Sequence, residues 1–191
     1  MPVSDDEIIK KVRNGGKRHY ACLVDRYKDR AFTLALRILK NREDAEEAVQ
    51  DAFVRAYNAL EKFEGNAKFS TWFYRIAYNT CLSKLGAKRA ALESIQYDEN
   101  EEYHVLSRAD RNALAQLEHM DMIALVKKII DTLPPKYSSI LSLFYFQELS
   151  HEEICEVTQL PLGTVKAHLF RARVLVQERF QQVERKEKLT V

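Results

Sequence analysis

Apolar side chains recur at three- and four-residue intervals along most of this chain, the period of helices with one buried face. Ser4-Asp5-Asp6-Glu7 has the layout of a capping box and Asn14-Gly15-Gly16 that of a stop, which together bound a short first helix. Tyr20, Leu23, Val24, Tyr27, Ala31, Leu34, Ala35 and Ile38 mark a longer second helix. A third, from about Glu43 to Glu61, would bury Ala45, Ala48, Val49, Ala52, Phe53, Ala56 and Leu60. After a loop from Lys62 to Phe69, a fourth helix is expected from a cap at Ser70 or Thr71. These four can close one bundle.

From about Gly86 to Glu118 the period weakens, and the polar run Gln96 to Glu102 reads as a tether, with a helical piece around Arg108 to Glu118. Strong periodicity returns at Met122, Ile123, Leu125, Val126, Ile129, Ile130 and Leu133, and Pro134-Pro135 ends that helix. Tyr137, Ile140, Leu141 and Phe144 predict the next. Ser150 with Glu153 forms a second capping box, and Leu149 with Ile154 an apolar staple around it. The expected fold is all-α, with two helical domains joined by a linker: residues 1–88, a linker over 89–118, a second domain over 119–185 and a tail of 186–191.

Composition agrees with an all-α reading. The 191 residues are 46% hydrophobic with only five Gly and four Pro. Cys22, Cys81 and Cys155 are odd in number and far apart, which implies no disulfide framework and fits a reducing cytoplasm. The acidic start, Met1 to Asp6, has no apolar core of a signal peptide, and no apolar run approaches the roughly 18 residues of a membrane span. A cytoplasmic protein without membrane insertion is expected.

The net charge of +2 hides a segregated pattern. Gly65 to Leu92 carries five basic residues and no acid, Glu93 to Glu102 five acids and no base, and Asn41 to Glu64 seven acids against three bases. Blocks of alternating sign suggest separate surfaces for separate partners; solvated helix faces explain the same pattern equally well.

The segment from Leu149 to Arg173 carries the most telling chemistry. It has a capped short helix, a Pro161-Leu162-Gly163 turn and a second helix with a basic outer face, the layout of a DNA-reading helix-turn-helix. On that last helix Val165, Leu169, Ala172 and Val176 share the inner face, and Ala167, Phe170, Arg171 and Val174 the opposite one. Arg171 can bridge guanine acceptors and Phe170 can meet a thymine methyl, while Lys166 and Arg173 suit phosphates. His168 could touch DNA or cap the core edge. His151 and Cys155 have metal-ligand spacing, but without a second pair a structural role is favoured and no metal is expected.

A second cluster lies upstream. Phe63, Phe69, Trp72, Phe73, Tyr74 and Tyr78 fall within sixteen residues, interleaved with Lys68 and Arg75. On a helix from Thr71, Phe73, Ile76, Ala77 and Thr80 would face inward and Thr71, Arg75, Tyr78 and Asn79 outward. Such a surface offers rings for bases, cations for phosphates and an amide for a base edge, the needs of single-stranded nucleic acid. The alternative is an aromatic-rich core. The third helix points Glu47, Asp51, Val54 and Asn58 outward with Gln50 beside them, which fits a basic protein partner or simply a solvated face.

Three stretches together resemble the extracytoplasmic-function sigma factors of bacterial RNA polymerase: Asp44 to Phe53, Phe69 to Thr80, and Leu162-Gly163-Thr164-Val165-Lys166. The resemblance covers most of the chain. It implies a region 2-like domain, a region 4-like domain and no enzymatic activity or cofactor of its own. It implies that Glu47, Gln50, Asp51 and Val54 dock on core RNA polymerase, whose β′ coiled coil and β flap would be the contacts. It implies that Phe63, Gly65, Asn66, Lys68, Phe69, Ser70, Trp72, Arg75, Tyr78 and Asn79 capture a −10 base of the promoter. Thr164, Lys166, Ala167, His168, Phe170, Arg171 and Arg173 would read the −35 duplex, and an anti-sigma factor is the expected antagonist. Ala167 and His168 depart from common family residues, which leaves the −35 preference open. An autonomous helix-turn-helix regulator and a helical mimic of a sigma factor are the competing readings.

Overall fold

The computed structural model describes residues 3–93 and 122–190; the acidic run after Glu93, the expected helical piece at 108–118 and most of the expected linker lie outside them. Among the described residues every regular element is helical. They are α1 (Asp5–Arg13), α2 (Tyr20–Leu39), α3 (Arg42–Ala59), α4 (Phe69–Glu93), α5 (Met122–Thr132), α6 (Pro135–Leu141), α7 (His151–Thr158) and α8 (Leu162–Thr190). Short 3-10 turns at Lys17–His19 and Leu60–Lys62 join the first elements, and a π-turn at Ser142–Phe146 prolongs α6.

Most boundaries have a local cause. Ser4 accepts the Glu7 N–H at 3.3 Å and Asn41 the Asp44 N–H at 2.9 Å, so both helices start on a side-chain cap. Beyond α1 the chain turns through Gly15 at φ +90°. Pro135 opens α6 because its missing N–H is no loss in a first turn. Ser150 and Glu153 cap each other reciprocally, with Leu149 and Ile154 buried around them as expected. The start of α4 differs from expectation: it begins at Phe69, and the Lys68 carbonyl already accepts the Trp72 N–H, so Ser70 and Thr71 sit inside the first turn. That helix also runs unbroken through Gly86 to Glu93.

Helices α2, α3 and α4 bury a shared core of Leu23, Leu34, Ile38, Ala52, Phe53 and Phe73, with Phe53 and Phe73 stacked at 4.5 Å between centroids. Ile140, Leu143, Ile154, Val165 and Leu169 form the interior of the C-terminal helices. The two interiors are continuous, because α6 and α7 lie against α2 and α4. A satellite of Leu125, Ile129 and Val183, flanked by Val176 and Phe180, fastens α5 to the distal half of α8. No described helix is long and apolar enough to cross a membrane, and no described group of three or more His, Cys, Asp or Glu side chains could hold a metal.

The seam between the two sets of helices is polar at its centre. Arg37 of α2 is only 4% exposed; it donates to Asp131 at 2.9 Å and to Ser142 at 3.0 Å, and its guanidinium lies 4.2 Å over the Phe146 ring. Ser138 donates back to the Arg37 carbonyl at 3.2 Å, and Gln147 to the Arg30 carbonyl at 3.2 Å.

Candidate nucleic-acid interface

The upstream cluster sits where the end of α3 passes into α4. Phe63 and Phe69 are buried, and both lean on Trp72, at 5.0 and 5.7 Å between centroids. They form the floor of the site rather than its open surface. Trp72 and Ser70 are half-buried, whereas Gly65, Asn66, Lys68, Arg75 and Asn79 are exposed. Gly65 turns the loop at φ +76°, which an L side chain rarely adopts, and the Asn66 amide donates to Glu64 at 2.9 Å.

Thr71 and Tyr78 correct the sequence reading: they are 2% and 8% exposed, not outward-facing. The cover comes from the C-terminal helices. Thr71 donates to the Glu153 carboxylate at 3.2 Å, and Lys68 pairs with the same oxygen at 3.0 Å. Tyr78 meets Ser139 of α6, and its phenol pKa is raised, burial being the main cause. Burial works to raise the Glu153 carboxyl too, but the Ser150 N–H, the Lys68 ammonium and the Thr71 hydroxyl outweigh it and leave its pKa lowered.

Two residues here escaped the sequence reading. Glu153 is legible only as a cap; its reach to α4 spans more than eighty positions. Arg13, at the end of α1, donates to the Leu60 carbonyl at 2.7 Å and to the Phe63 carbonyl, with a longer bond to Glu61. It thereby holds the turn from which the loop departs, and no sequence period signals a contact at that separation.

On α3, Glu47, Gln50, Asp51 and Val54 are exposed, Val54 at 59%. The basic and acidic blocks are not fully separate surfaces: Lys84 of α4 pairs with Glu47 at 2.5 Å, and Lys84 and Lys88 both reach Asp44. The Lys84 pKa is raised, chiefly by Glu47. Gln50, Asp51 and Val54 stay exposed and outside these pairs.

On α8 the expected inner face is buried at Val165, Leu169 and Ala172 and half-buried at Val176, and Lys166, Ala167, Phe170, Arg171 and Val174 are exposed, Phe170 at 67%. Thr164 is half-buried in the first turn. His168 leans edge-on against Tyr137 at 5.6 Å; burial, with Lys136 and Arg171 adding to it, lowers its pKa and favours the neutral ring. Arg173 is held sideways, donating to the Tyr145 hydroxyl at 2.9 Å with its guanidinium over Phe144 and Tyr145. His151 rests against Phe144, and the three cysteines are free thiols.

Comparison with known proteins matches both halves. The family models Sigma-70 region 2 and Sigma-70, region 4 match residues 23–91 and 123–176. The RNA polymerase sigma-H factor of Pseudomonas aeruginosa is 34% identical over 93% of this chain and 94% of its own length. The ECF RNA polymerase sigma factor SigW of Bacillus subtilis is 37% identical over 86% and 90%. Among solved structures, the sigma factor RpoE bound to the anti-sigma factor NepR from Bartonella quintana superposes with a TM-score of 0.65 at 17% identity, over 85% of this chain and 96% of that one. CnrH in complex with the cytosolic domain of CnrY gives 0.61 at 20%, over 92% and 96%. The described fold and these matches agree: the chain belongs to the extracytoplasmic-function group of the sigma-70 family.

Proposed function

We propose that this alternative sigma factor joins core RNA polymerase and reads a promoter at two separated elements. Residues up to about 88 form the domain that binds core enzyme and the −10 element, and those from about 119 to 185 the domain that reads the −35 element. The observation that carries the reading is a pair of unlike exposed faces on one chain, each with chemistry that suits nucleic acid. One is the ring-floored loop around Trp72 with Lys68, Arg75 and Asn79 at its rim; the other is the exposed Lys166-Ala167-Phe170-Arg171 face of a capped helix-turn-helix.

The α8 face suits a major groove, where Arg171 meets guanine and Phe170 a thymine methyl. The loop suits an extruded −10 base, whose unstacking costs a few kcal/mol and is offset by contacts with Trp72 and Asn79. The subunit breaks no covalent bond; it favours strand opening by binding the open form better than the closed duplex. Glu47, Gln50, Asp51 and Val54 form a face for core polymerase, of which Gln50, Asp51 and Val54 are free of the Lys84 pairing. Since α6 and α7 cover Thr71 and Tyr78, use of the whole −10 surface requires the two halves to part, and a protein that clasps the closed form acts as an anti-sigma factor.

In vitro transcription with core enzyme on a randomised promoter library tests the reading, with Asn79→Ala and Arg171→Ala compared against wild type. Asn79→Ala loses permanganate reactivity in the −10 region, and Arg171→Ala weakens upstream duplex binding by about 1–3 kcal/mol. Equal melting by wild type and Asn79→Ala rejects the pocket. Promoter-specific duplex binding without core enzyme favours an autonomous regulator, and absence of promoter-specific transcription with core favours a mimic.

A further inference from the structure

The turn between α1 and α2 concentrates positive charge, of which the fold described above uses only Arg13. Lys10, Lys11, Arg13, Lys17 and Arg18 fall within nine residues with no acid among them, and all five are exposed. None of them enters an ion pair among the described residues.

Helix electrostatics explains only part of the cluster. Lys10, Lys11 and Arg13 occupy the last turn of α1, where cations complement the partial negative charge of a helix end. Lys17 and Arg18 stand immediately before α2, a 20-residue helix whose amino end is already positive and whose first turn has no acid. Stability alone favours carboxylates there, so these two cations work against the local dipole. The turn is also tightly set. The Gly16 N–H donates to the Lys11 carbonyl at 3.0 Å, and a Cβ at Gly16 would come within 2.8 Å of that oxygen. The ends of α1 and α2 are therefore held close together, and the five cations cluster around one short turn.

The position of this turn points to a partner. Arg13 binds the carbonyls of Leu60 and Phe63, so the turn that carries it abuts the root of the loop that rims the ring-floored pocket. A strand whose base enters that pocket carries its neighbouring phosphates past the same loop. We propose that Lys10, Lys11, Lys17 and Arg18 form a phosphate-binding shelf that grips the promoter backbone beside the −10 pocket without reading sequence, while Arg13 fixes the shelf to the loop. This rests on the promoter-reading function above and adds to it a second contact on the −10 side. Its contribution is electrostatic, so it is large at low ionic strength and fades as salt replaces the released counterions.

The test is the salt dependence of promoter binding by reconstituted holoenzyme. The quadruple variant Lys10→Gln/Lys11→Gln/Lys17→Gln/Arg18→Gln touches no buried side chain. Removing the grip on one phosphate should flatten the slope of log K against log salt by about 0.7 on single-stranded DNA or 0.9 on duplex, roughly 3 for all four cations. The affinity deficit is then greatest at low salt and similar for different promoter sequences. Affinity of the variant for core enzyme without DNA is measured in parallel and stays at the wild-type value. An unchanged slope overturns the shelf. Weakened binding to core enzyme with an unchanged DNA slope also overturns it and assigns the cations to an acidic protein surface. If wild-type holoenzyme itself shows no promoter preference, the failure lies with the proposed function; if wild type binds and only the slopes coincide, the failure is confined to the shelf.

Discussion

Replacement of Arg37 by alanine should open the molecule without unfolding either half. The guanidinium leaves α2 and spends its contacts on the other set of helices, so its removal falls on the seam. A charged hydrogen bond to buried Ser142 is worth about 1.5–3 kcal/mol. The stack on Phe146 adds about 0.5–2 kcal/mol. Asp131 is 55% exposed, so that ion pair contributes no more than about 1 kcal/mol after solvent screening. These terms overlap, and about 3 kcal/mol is a reasonable total, which shifts the closed-to-open ratio about 100-fold. Energy transfer between dyes at exposed Cys22 and at Glu178→Cys on α8, in a Cys155→Ser background, reads the separation directly. Arg37→Ala should populate a longer distance, and Arg37→Ala/Ser142→Ala should show non-additive energies because the two side chains share one contact. Identical transfer distributions for wild type and Arg37→Ala would refute the assignment of the seam to this residue.

Acid should loosen the same seam from the other end. The Glu153 pKa is lowered in the folded chain, so the stability it lends is present above the ordinary value of 4.5 and lost as pH falls through the folded value; the transfer signal of wild type should drop in that window and that of Glu153→Gln should not. Arg13→Ala should release the root of the −10 loop, reducing permanganate reactivity while upstream footprints persist; an unaltered melted region argues against its positioning role. Glu148 lies at φ +56° with an exposed side chain that joins no ion pair among the described residues, so Glu148→Gly should raise stability by about 1 kcal/mol, read as a higher midpoint in urea. Phe170→Ala should leave that midpoint within about 0.5 kcal/mol, since the ring is 67% exposed, yet weaken duplex binding in a competition assay.

Helix existence and the inner faces were legible because they depend on local period and caps. Ser150 and Glu153 announce α7, and Val165, Leu169 and Ala172 announce the buried stripe of α8. Tyr78 was not legible in the same way. Its place on α4 does point away from the bundle's own core, but burial there is decided by α6, some sixty residues on. The same reason hides Glu153 and Arg13, whose partners are set by tertiary approach and not by spacing. Phe63 and Phe69 show the opposite error: aromatic content marked the right region, and only geometry separates the rings that support Trp72 from the groups at the rim. Lys84 and Lys88 show why block charge misleads, because helices side by side neutralise what the linear chain keeps apart.

Helix α8 puts the exposed face proposed to enter the groove and its grip on α5 on one uninterrupted rod of 29 residues, about 43 Å at helical rise. A rod of that kind has no joint between Arg171 and Val183. Under the proposed promoter contact, whatever turns its far end also turns Phe170 and Arg171, so a load applied at the α5 side reaches the DNA. Cutting the chain after Val176, where the match to the region 4 family model ends, would remove Phe180 and Val183 from beside Leu125 and Ile129 and detach the Phe170–Arg171 end from α5.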